Sequence, residues 1–323
     1  MRVARSVTPR EVRLEDVPEP VPGPDEVLCR VVACGVCGSD VSEAWVARKV
    51  PVVLGHEVVG IVEAAGPRVP AGAPAIGEPV VIHHHAPCGT CRRCARGHET
   101  LCDRFRSTAL DPGGFAQKVR VPADLVAELL PIGGLDPERA SFVEPLACVL
   151  RALDRARLQE GDTLLVAGAG TSGLLAVAAA RERGAEQVLV REPRPERMAL
   201  AERLGGIPHA GQAADVALIC TPAPAAIADG FAALGPGGML CLYAPPKPDE
   251  TLSLPAWGLY MGEIEVCASY SAGPGDMRAA LALIASGRVD PAPLVTHRLG
   301  LDETARALEL QRTGEAVKAL VLP

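Results

Sequence analysis

Four cysteines, Cys88, Cys91, Cys94 and Cys102, fall within the run CGTCRRCARGHETLC. Zinc takes four soft ligands in a tetrahedron, and clustered thiolates need a cation to share their charge. The two-residue gaps let successive sulfurs turn back on one ion, and the seven-residue gap closes the knot. Disulfide frameworks belong to small secreted domains, whereas this chain is long and has no disulfide-type repeat. The cluster therefore reads as a structural zinc site. A closed four-thiolate site does no chemistry, so the reacting groups of an enzyme must lie elsewhere.

A second set of donors is scattered. Cys37 lies in CGVCGSD, His56 and Glu57 in GHEVVG, and Glu144 in FVEPLACV. Alone, each has a bland reading: a packing cysteine, a surface His-Glu pair, a helix N-terminal carboxylate beside Pro145. Together they form a mixed sulfur, nitrogen and oxygen donor set. Catalytic zinc takes three protein ligands and keeps one position open. Cys37 and His56 supply two; the third comes from Glu57, from Glu144, or from both at different stages. Glu144 stands in an apolar stretch, where a carboxylate needs a partner or a metal to offset its desolvation.

The run VAGAGTSG places Gly168, Gly170 and Gly173 in G-x-G-x-x-G spacing, with Thr171 and Ser172 at the start of a helical pattern. The motif gains meaning because it follows an apolar strand and opens a helix. Its glycines serve a tight turn, close approach of backbone to a pyrophosphate, and helix-on-strand packing. The helix N-terminus offers bare N–H groups to phosphate. Glu192 occupies the place of the acidic residue that holds a ribose diol, which favours NAD. Arg191, Arg194 and Arg197 surround it, and arginines suit a 2′-phosphate, so NADP stays open.

These groups must be positioned by a chain of 323 residues, enough for two domains. Apolar content of 48% with 22% charged residues is that of a globular protein, and with 3% aromatics the core must be built from Ala, Val, Leu and Ile. A net charge of -7 disfavours nucleic acid as a partner. No apolar run reaches membrane-spanning length unbroken, and the N-terminus does not read as a signal peptide. Eleven cysteines without a secretory signal imply a reducing, cytoplasmic setting. Cys29, Cys34, Cys148, Cys220, Cys241 and Cys267, which no metal claims, read as packing residues.

Short strands cut by Pro and Gly (Val27–Ala33, Val58–Ala64, Val80–His85, Ala116–Val121) predict a barrel-like β domain over the first 145 or so residues. From Asp162 strands alternate with helices: Thr163–Ala167, helix Ser172–Arg183, Gln187–Val190, helix Pro195–Leu204, Val216–Cys220, helix Ala225–Ala233 and Gly238–Tyr243. That alternation predicts a parallel sheet. A last strand, Val317–Leu322, is expected to rejoin the first domain.

Nearly the whole chain resembles the zinc-dependent medium-chain dehydrogenase/reductase family, in its polyol, threonine and sorbitol dehydrogenase branch. The resemblance rests on DEVLCRVVACGVCGSD, LGHEVVG, the four-cysteine lobe, GGFAQKVRVP, FVEPLACVLRA, the glycine turn, GPGGML and VKALVLP. It implies an α/β protein with a GroES-like β-barrel catalytic domain (residues 1–147 and 292–323) and a Rossmann doubly wound parallel sheet (148–291). It implies two Zn²⁺ per chain, with catalytic zinc on Cys37 and His56, Glu57 as ligand or switch, and Glu144 as the remaining ligand. Ser39 falls where the family carries the alcohol proton. The expected reaction oxidises a secondary alcohol of a polyol, sugar alcohol or amino alcohol to a carbonyl, with hydride passing to NAD or NADP. The implied partners are a small-molecule alcohol and a second copy or three more copies of the chain, with Glu263–Tyr270 resembling the subunit-contact strand.

This sequence departs from the family pattern in places. Ser42 stands where threonine-type relatives have a relay histidine; His83, His84 and His85 are candidates to replace it, but read as a strand with one or two facing solvent. The segment between Leu204 and Asp215 is too short for a strand and a helix, which predicts a sheet trimmed of one crossover helix near 205–214. Trp45, Tyr260 and Tyr270 are candidates to line a pocket, but read first as core packing. The trimmed sheet motivates a rival reading, an inactive nucleotide-binding sensor or scaffold. The full set Cys37, Ser39, His56, Glu57 and Glu144 argues against it, and the thiol cluster argues against a zinc-free quinone reductase of the same fold.

Overall fold

The computed structural model describes all 323 residues. The chain divides into two compact units, Met1–Glu144 with Gly273–Pro323, and Pro145–Ala272.

The first unit opens with eight strands: β1 (Arg2–Ser6), β2 (Val12–Asp16), β3 (Val27–Gly35), β4 (Val52–Val53), β5 (Glu57–Ala65), β6 (Pro79–Ile82), β7 (Lys118–Val121) and β8 (Leu129–Pro131). The second unit contains β9 (Thr163–Ala167), β10 (Gln187–Arg191), β11 (Ile207–Pro208), β12 (Ala214–Ile219), β13 (Leu234–Leu242) and β14 (Glu265–Ala268). The chain then re-enters the first unit through the helix Pro274–Ala285 and strands β15 (Val295–Gly300) and β16 (Lys318–Leu322).

In the first unit β2, β1 and β4 form a small sheet, and a larger one runs β15-β16-β3-β5-β6-β8, with β7 also on β3. The hub is β3, VLCRVVACG, nearly all buried. Its β-branched residues suit a pleated surface packed on both faces. Gly35 at its end pairs with Glu57 at the start of β5, and Leu320 of β16 pairs with Gly35 from the other side. Three of the four phenylalanines, Phe105, Phe115 and Phe142, are fully buried in this unit. The rest of its core is aliphatic, as the scarcity of aromatics requires.

The second unit is one parallel sheet ordered β11-β10-β9-β12-β13-β14. Its inner strands are short apolar runs such as TLLVA, buried because helices cover such sheets. The helices Thr171–Glu182, Pro195–Arg203 and Pro224–Ala232 lie in the crossovers. Between β11 and β12 only residues 209–213 remain, and no helix forms there. This is the expected trimmed crossover: five residues cannot make a helix and two turns. The strand order reverses at β9, and ligands of such sheets bind at the carboxyl ends of the strands flanking that reversal.

Candidate active site and metal centres

Cys37 precedes the short 3-10 turn Gly38–Val41. Within that turn Asp40, 3% exposed, folds back. Its Oδ2 accepts the Cys37 N–H at 3.0 Å and its Oδ1 lies 3.4 Å from His56 Nδ1. Ligand atoms of Cys37, His56 and Glu57 all lie within 4.8 Å of one another. With Nδ1 turned to a carboxylate, Nε2 of His56 is left for a metal, the usual way such an imidazole is oriented. Burial opposes a charge on His56, but the Asp40 carboxylate and the Cys37 thiolate outweigh it and hold the imidazolium well above the ordinary histidine value. Burial likewise opposes the Asp40 charge, and His56 with the Cys37 N–H outweighs it, so its carboxyl titrates below the usual range. The Asp40, Cys37 and Glu57 groups gathered around His56 suit a cation. The donor set of thiolate, imidazole and carboxylate fits Zn²⁺.

Glu57 is 1% exposed and shares its charge with Lys318, also 1% exposed. The Lys318 ammonium donates to Glu57 Oε2 and, at 3.2 Å, to the Val36 carbonyl. Gly35 makes the pair possible. A Cβ there would stand 1.9 Å from Glu57 Oε2 and 2.8 Å from Lys318 Cε. Sequence reasoning passed over both Lys318 and the orienting role of Asp40. The available signals were a single lysine inside the apolar run VKALVL and an aspartate three residues after a candidate ligand.

Glu144 is 5% exposed, in the first turn of the helix Val143–Arg155, and lies outside the Cys37, His56 and Glu57 triad. A carboxylate in a first helical turn faces unsatisfied N–H groups. Ser39 is half-buried in the 3-10 turn, and its carbonyl accepts the N–H of Ser42 at 3.4 Å.

The histidine run departs from the expected strand Val80–His85. Strand β6 stops at Ile82, and none of the three histidines is exposed. They fold against the site instead, with ring centroids 4.9 Å apart for His56 and His84 and 4.0 Å for His84 and His85. His85 Nδ1 pairs with the Thr108 carbonyl at 2.7 Å. His83 is buried beside Phe105 with neither ring nitrogen hydrogen-bonded. Burial, then the neighbouring His85 and His56, pushes His83 down to about 3. The strand ends there because the pairing of β6 with both β5 and β8 reaches only as far as Ile82. Two further expectations are corrected: Tyr260 is 78% exposed and Tyr270 41%, so neither is a core residue.

The thiolates of Cys88, Cys91, Cys94 and Cys102 also lie within 4.8 Å of one another. Zinc–sulfur bonds of about 2.3 Å in a tetrahedron put sulfurs about 3.8 Å apart. Cys91 and Cys94 are 3.5 Å apart, Cys88 and Cys94 4.0 Å. Gly89 and Gly97, both at φ +73°, make the left-handed bends that turn the chain back. Backbone N–H groups of Thr90 and Cys91 pull the Cys88 thiol down to about 6.

In the second unit, the glycine turn separates into three roles. Gly168 has φ +99°. A Cβ on Gly173 would lie 1.9 Å from the Gly168 carbonyl oxygen, so the helix Thr171–Glu182 can sit on the turn only without a side chain there. A Cβ on Gly170 would meet nothing within 4 Å. The fold does not need that glycine, which leaves close approach of a ligand as its use. Glu192 follows β10; it accepts the Ala169 N–H at 2.7 Å and the Arg194 N–H at 3.0 Å. Arg191 turns away, to His209 and Asp229. Burial, the largest effect, lowers Arg197, opposed by Glu192 nearby.

A barrel-like unit with a thiolate–imidazole–carboxylate centre and a four-cysteine lobe, in one chain with a doubly wound sheet bearing a dinucleotide turn, defines a class of two-domain dehydrogenases. Comparison with known proteins agrees. The alcohol dehydrogenase GroES-like domain matches residues 23–131. The chain is 31% identical to the sorbitol dehydrogenase of Bacillus subtilis, over 100% of this chain and 97% of that protein. It is 31% identical to the L-threonine 3-dehydrogenase of the same organism, over 96% of this chain and 94% of the other. Among solved structures it is similar to the alcohol dehydrogenase TADH of Thermus sp. ATN1, with TM-score 0.86, 30% identity, and coverage of 100% of this chain and 99% of that one. A Sinorhizobium meliloti protein, described as a zinc-binding dehydrogenase and solved with NADP, gives TM-score 0.90 at 28% identity, covering 100% and 99%. The chain belongs to the zinc-dependent medium-chain dehydrogenase/reductase family, on its polyol dehydrogenase side. It is accordingly an NAD(P)-dependent oxidoreductase of alcohols.

Proposed function

We propose that the chain oxidises a secondary hydroxyl of a polyol, sugar alcohol or amino alcohol, with Cys37, His56 and Glu57 as the ligands of its working zinc. The supporting observation is the convergence of those three donors within 4.8 Å, with Asp40 orienting His56. Zinc held there would act as a Lewis acid on the substrate oxygen and lower the alcohol pKa. Cys37 and His56 fix the ion, and Lys318 holds the Glu57 carboxylate in place and balances its charge. Ser39 carries the alcohol proton outward. Glu144 is assigned as a reserve carboxylate of the same centre, engaged at another stage of turnover. The four-cysteine lobe holds the second, structural ion.

Met1–Glu144 with Gly273–Pro323 then serves as the catalytic domain and Pro145–Ala272 as the nucleotide domain. Gly168, Gly170, Thr171, Ser172 and Gly173 receive the pyrophosphate, with Arg197 beside the adenosine side of the site. Glu192 receives the ribose diol, which supports NAD over NADP, as does the engagement of Arg191 by Asp229. The curated relatives carry substrate names such as sorbitol, erythritol or L-threitol, and D-arabinitol, which supports the polyol class. Two copies are proposed to associate along β14 and the helix Ala256–Gly262 before it, whose Trp257, Tyr260 and Met261 are 75%, 78% and 59% exposed. No helix is long and apolar enough to cross a membrane, and a cysteine-rich chain whose thiols are assigned to metal or packing rather than to disulfides supports a cytoplasmic setting.

The test is a cofactor-reduction screen across polyols, amino alcohols and monohydric alcohols, with metal analysis. Two zinc ions per chain and NAD reduction by a polyol are expected. One zinc per chain, tight NAD binding and no turnover with any alcohol would instead establish the sensor reading. Light scattering that shows a single copy at working concentration would refute the association along β14.

A further inference from the structure

Six cysteines belong to neither metal centre, and two of them meet in the second unit. Cys241 on β13 pairs in register with Cys267 on β14, and the strands run parallel. Neighbouring strands lie about 4.8 Å apart, inside the roughly 4.4–6.8 Å between Cα atoms that a disulfide spans. The two thiols lie close enough to shift one another's titration. Cys241 is fully buried and can also donate to the Ala152 carbonyl at 3.8 Å, whereas Cys267 is half-exposed. Beside Cys267 stand two guanidinium groups. Arg155 donates to the Ala268 carbonyl at 3.3 Å, and Arg157 pairs with Glu265.

We propose that Cys241 and Cys267 form a peroxide-sensitive dithiol, a reversible oxidation site in the nucleotide-binding unit. The two sulfurs are inequivalent. The Cys241 thiol, Arg155 and Arg157 stabilise the Cys267 thiolate and bring its titration below the ordinary thiol value, while the neighbouring Cys267 and burial push Cys241 up. Cys267 is thus the attacking sulfur and Cys241 the resolving one. The Cys267 thiolate attacks one oxygen of hydrogen peroxide. The O–O bond breaks, hydroxide leaves and takes up the proton that Cys267 had released, and the sulfur becomes a sulfenic acid, oxidised by two electrons. The Cys241 sulfur then displaces hydroxyl from Cys267, the S–S bond forms, and the departing hydroxyl leaves with the Cys241 proton as water. Two thiols and one peroxide give one disulfide and two waters, and a thiol reductant reverses the change. The bond would pin the edge strand β14 to β13 and close the segment that carries the helix Ala256–Gly262.

The test treats the zinc-loaded chain with limiting hydrogen peroxide, blocks remaining thiols, and digests with glutamyl endopeptidase, which cuts after Glu250 and places the two cysteines on separate peptides; fragment-ion sequencing then assigns the bond, because the peptide 203–250 carries Cys220 as well as Cys241. A linked pair, Cys241 to Cys267, lighter by two hydrogens than its separate peptides and released by dithiothreitol, is expected. Cys267→Ser should give no linked pair. Cys241→Ala should let a sulfenic acid accumulate on Cys267, trapped by dimedone. Matching melting profiles for Cys267→Ser and the parent establish that the fold is intact. The proposal is overturned if Cys267 goes to sulfinic acid in the parent without a linked peptide. It is also overturned if Cys220 is the partner found, or if the cysteines at 88–102 oxidise while Cys267 stays reduced.

Discussion

Replacing Lys318 by methionine should separate the metal's contribution from the fold's. The chain length is kept, but the ammonium that balances Glu57 is gone, and both groups are 1% exposed. Removing one member of a buried ion pair strands the other charge, at a cost of about 3–5 kcal/mol. For a unit of roughly 200 residues that is a fall in melting temperature of about 6–20 °C. The full loss is expected only without metal, because a zinc ion beside Glu57 gives the carboxylate a new counter-charge. The assay is thermal or urea unfolding of parent and Lys318→Met, each stripped and zinc-loaded. The difference between the variants within each state cancels the contribution of the four-cysteine ion. The gap should be widest in the stripped pair and shrink by more than half on loading. Adding Glu57→Gln to Lys318→Met should recover most of the stripped-state loss, since a neutral amide tolerates burial far better than an unpaired carboxylate. Equal gaps in both metal states, with no recovery in the double variant, would refute the idea that Glu57 borrows its charge balance from Lys318.

Asp40→Asn removes the carboxylate behind His56, and zinc affinity at the Cys37 centre should fall about 10–100-fold, read by chelator competition, while the four-cysteine ion stays bound. The glycines of the turn should split in phenotype. Gly173→Ala places a methyl 1.9 Å from the Gly168 carbonyl oxygen and should lower stability and NAD binding together. Gly170→Ala meets no protein atom, so melting should hold while NAD binding weakens by about 1–3 kcal/mol, roughly 5- to 150-fold in calorimetry. His83, pushed down to about 3 from 6.5, binds its proton only in the unfolded chain across that window. Its contribution is therefore fully present above about pH 6.5 and is lost as pH falls toward 3, by about 1.4 kcal/mol per pH unit. His83→Leu should flatten that acid limb in urea titrations, and an unchanged slope would refute the assignment.

Local patterns were legible in the sequence and distant partnerships were not. The cysteine spacing and the glycine turn each bring their functional atoms together within a few residues, so reading the motif amounts to reading the geometry. The missing crossover helix was legible for a similar reason, because ten residues bound what can fit between Leu204 and Asp215. Lys318 was invisible as a site residue because its partner Glu57 lies 261 positions away, and only the pairing of β16 with β3 joins them. Asp40 was seen as part of a motif, but its role depends on where His56 arrives. The end of β6 was misplaced by three residues, since alternation cannot show that the facing strand stops at Ile82. Burial of Glu144 was read correctly from its apolar neighbours, but a burial pattern carries no direction, and the triad forms without it.

The last strand also has a consequence for biosynthesis. Lys318 is made 261 residues after Glu57, long after the ribosome has released Glu57, His56 and Cys37. A nascent chain that captures metal early does so with its carboxylate still lacking its ammonium, and only synthesis through β16 can settle that charge. A truncation just before Lys318 would leave every upstream motif in place and still yield a centre whose acid has no permanent counter-ion.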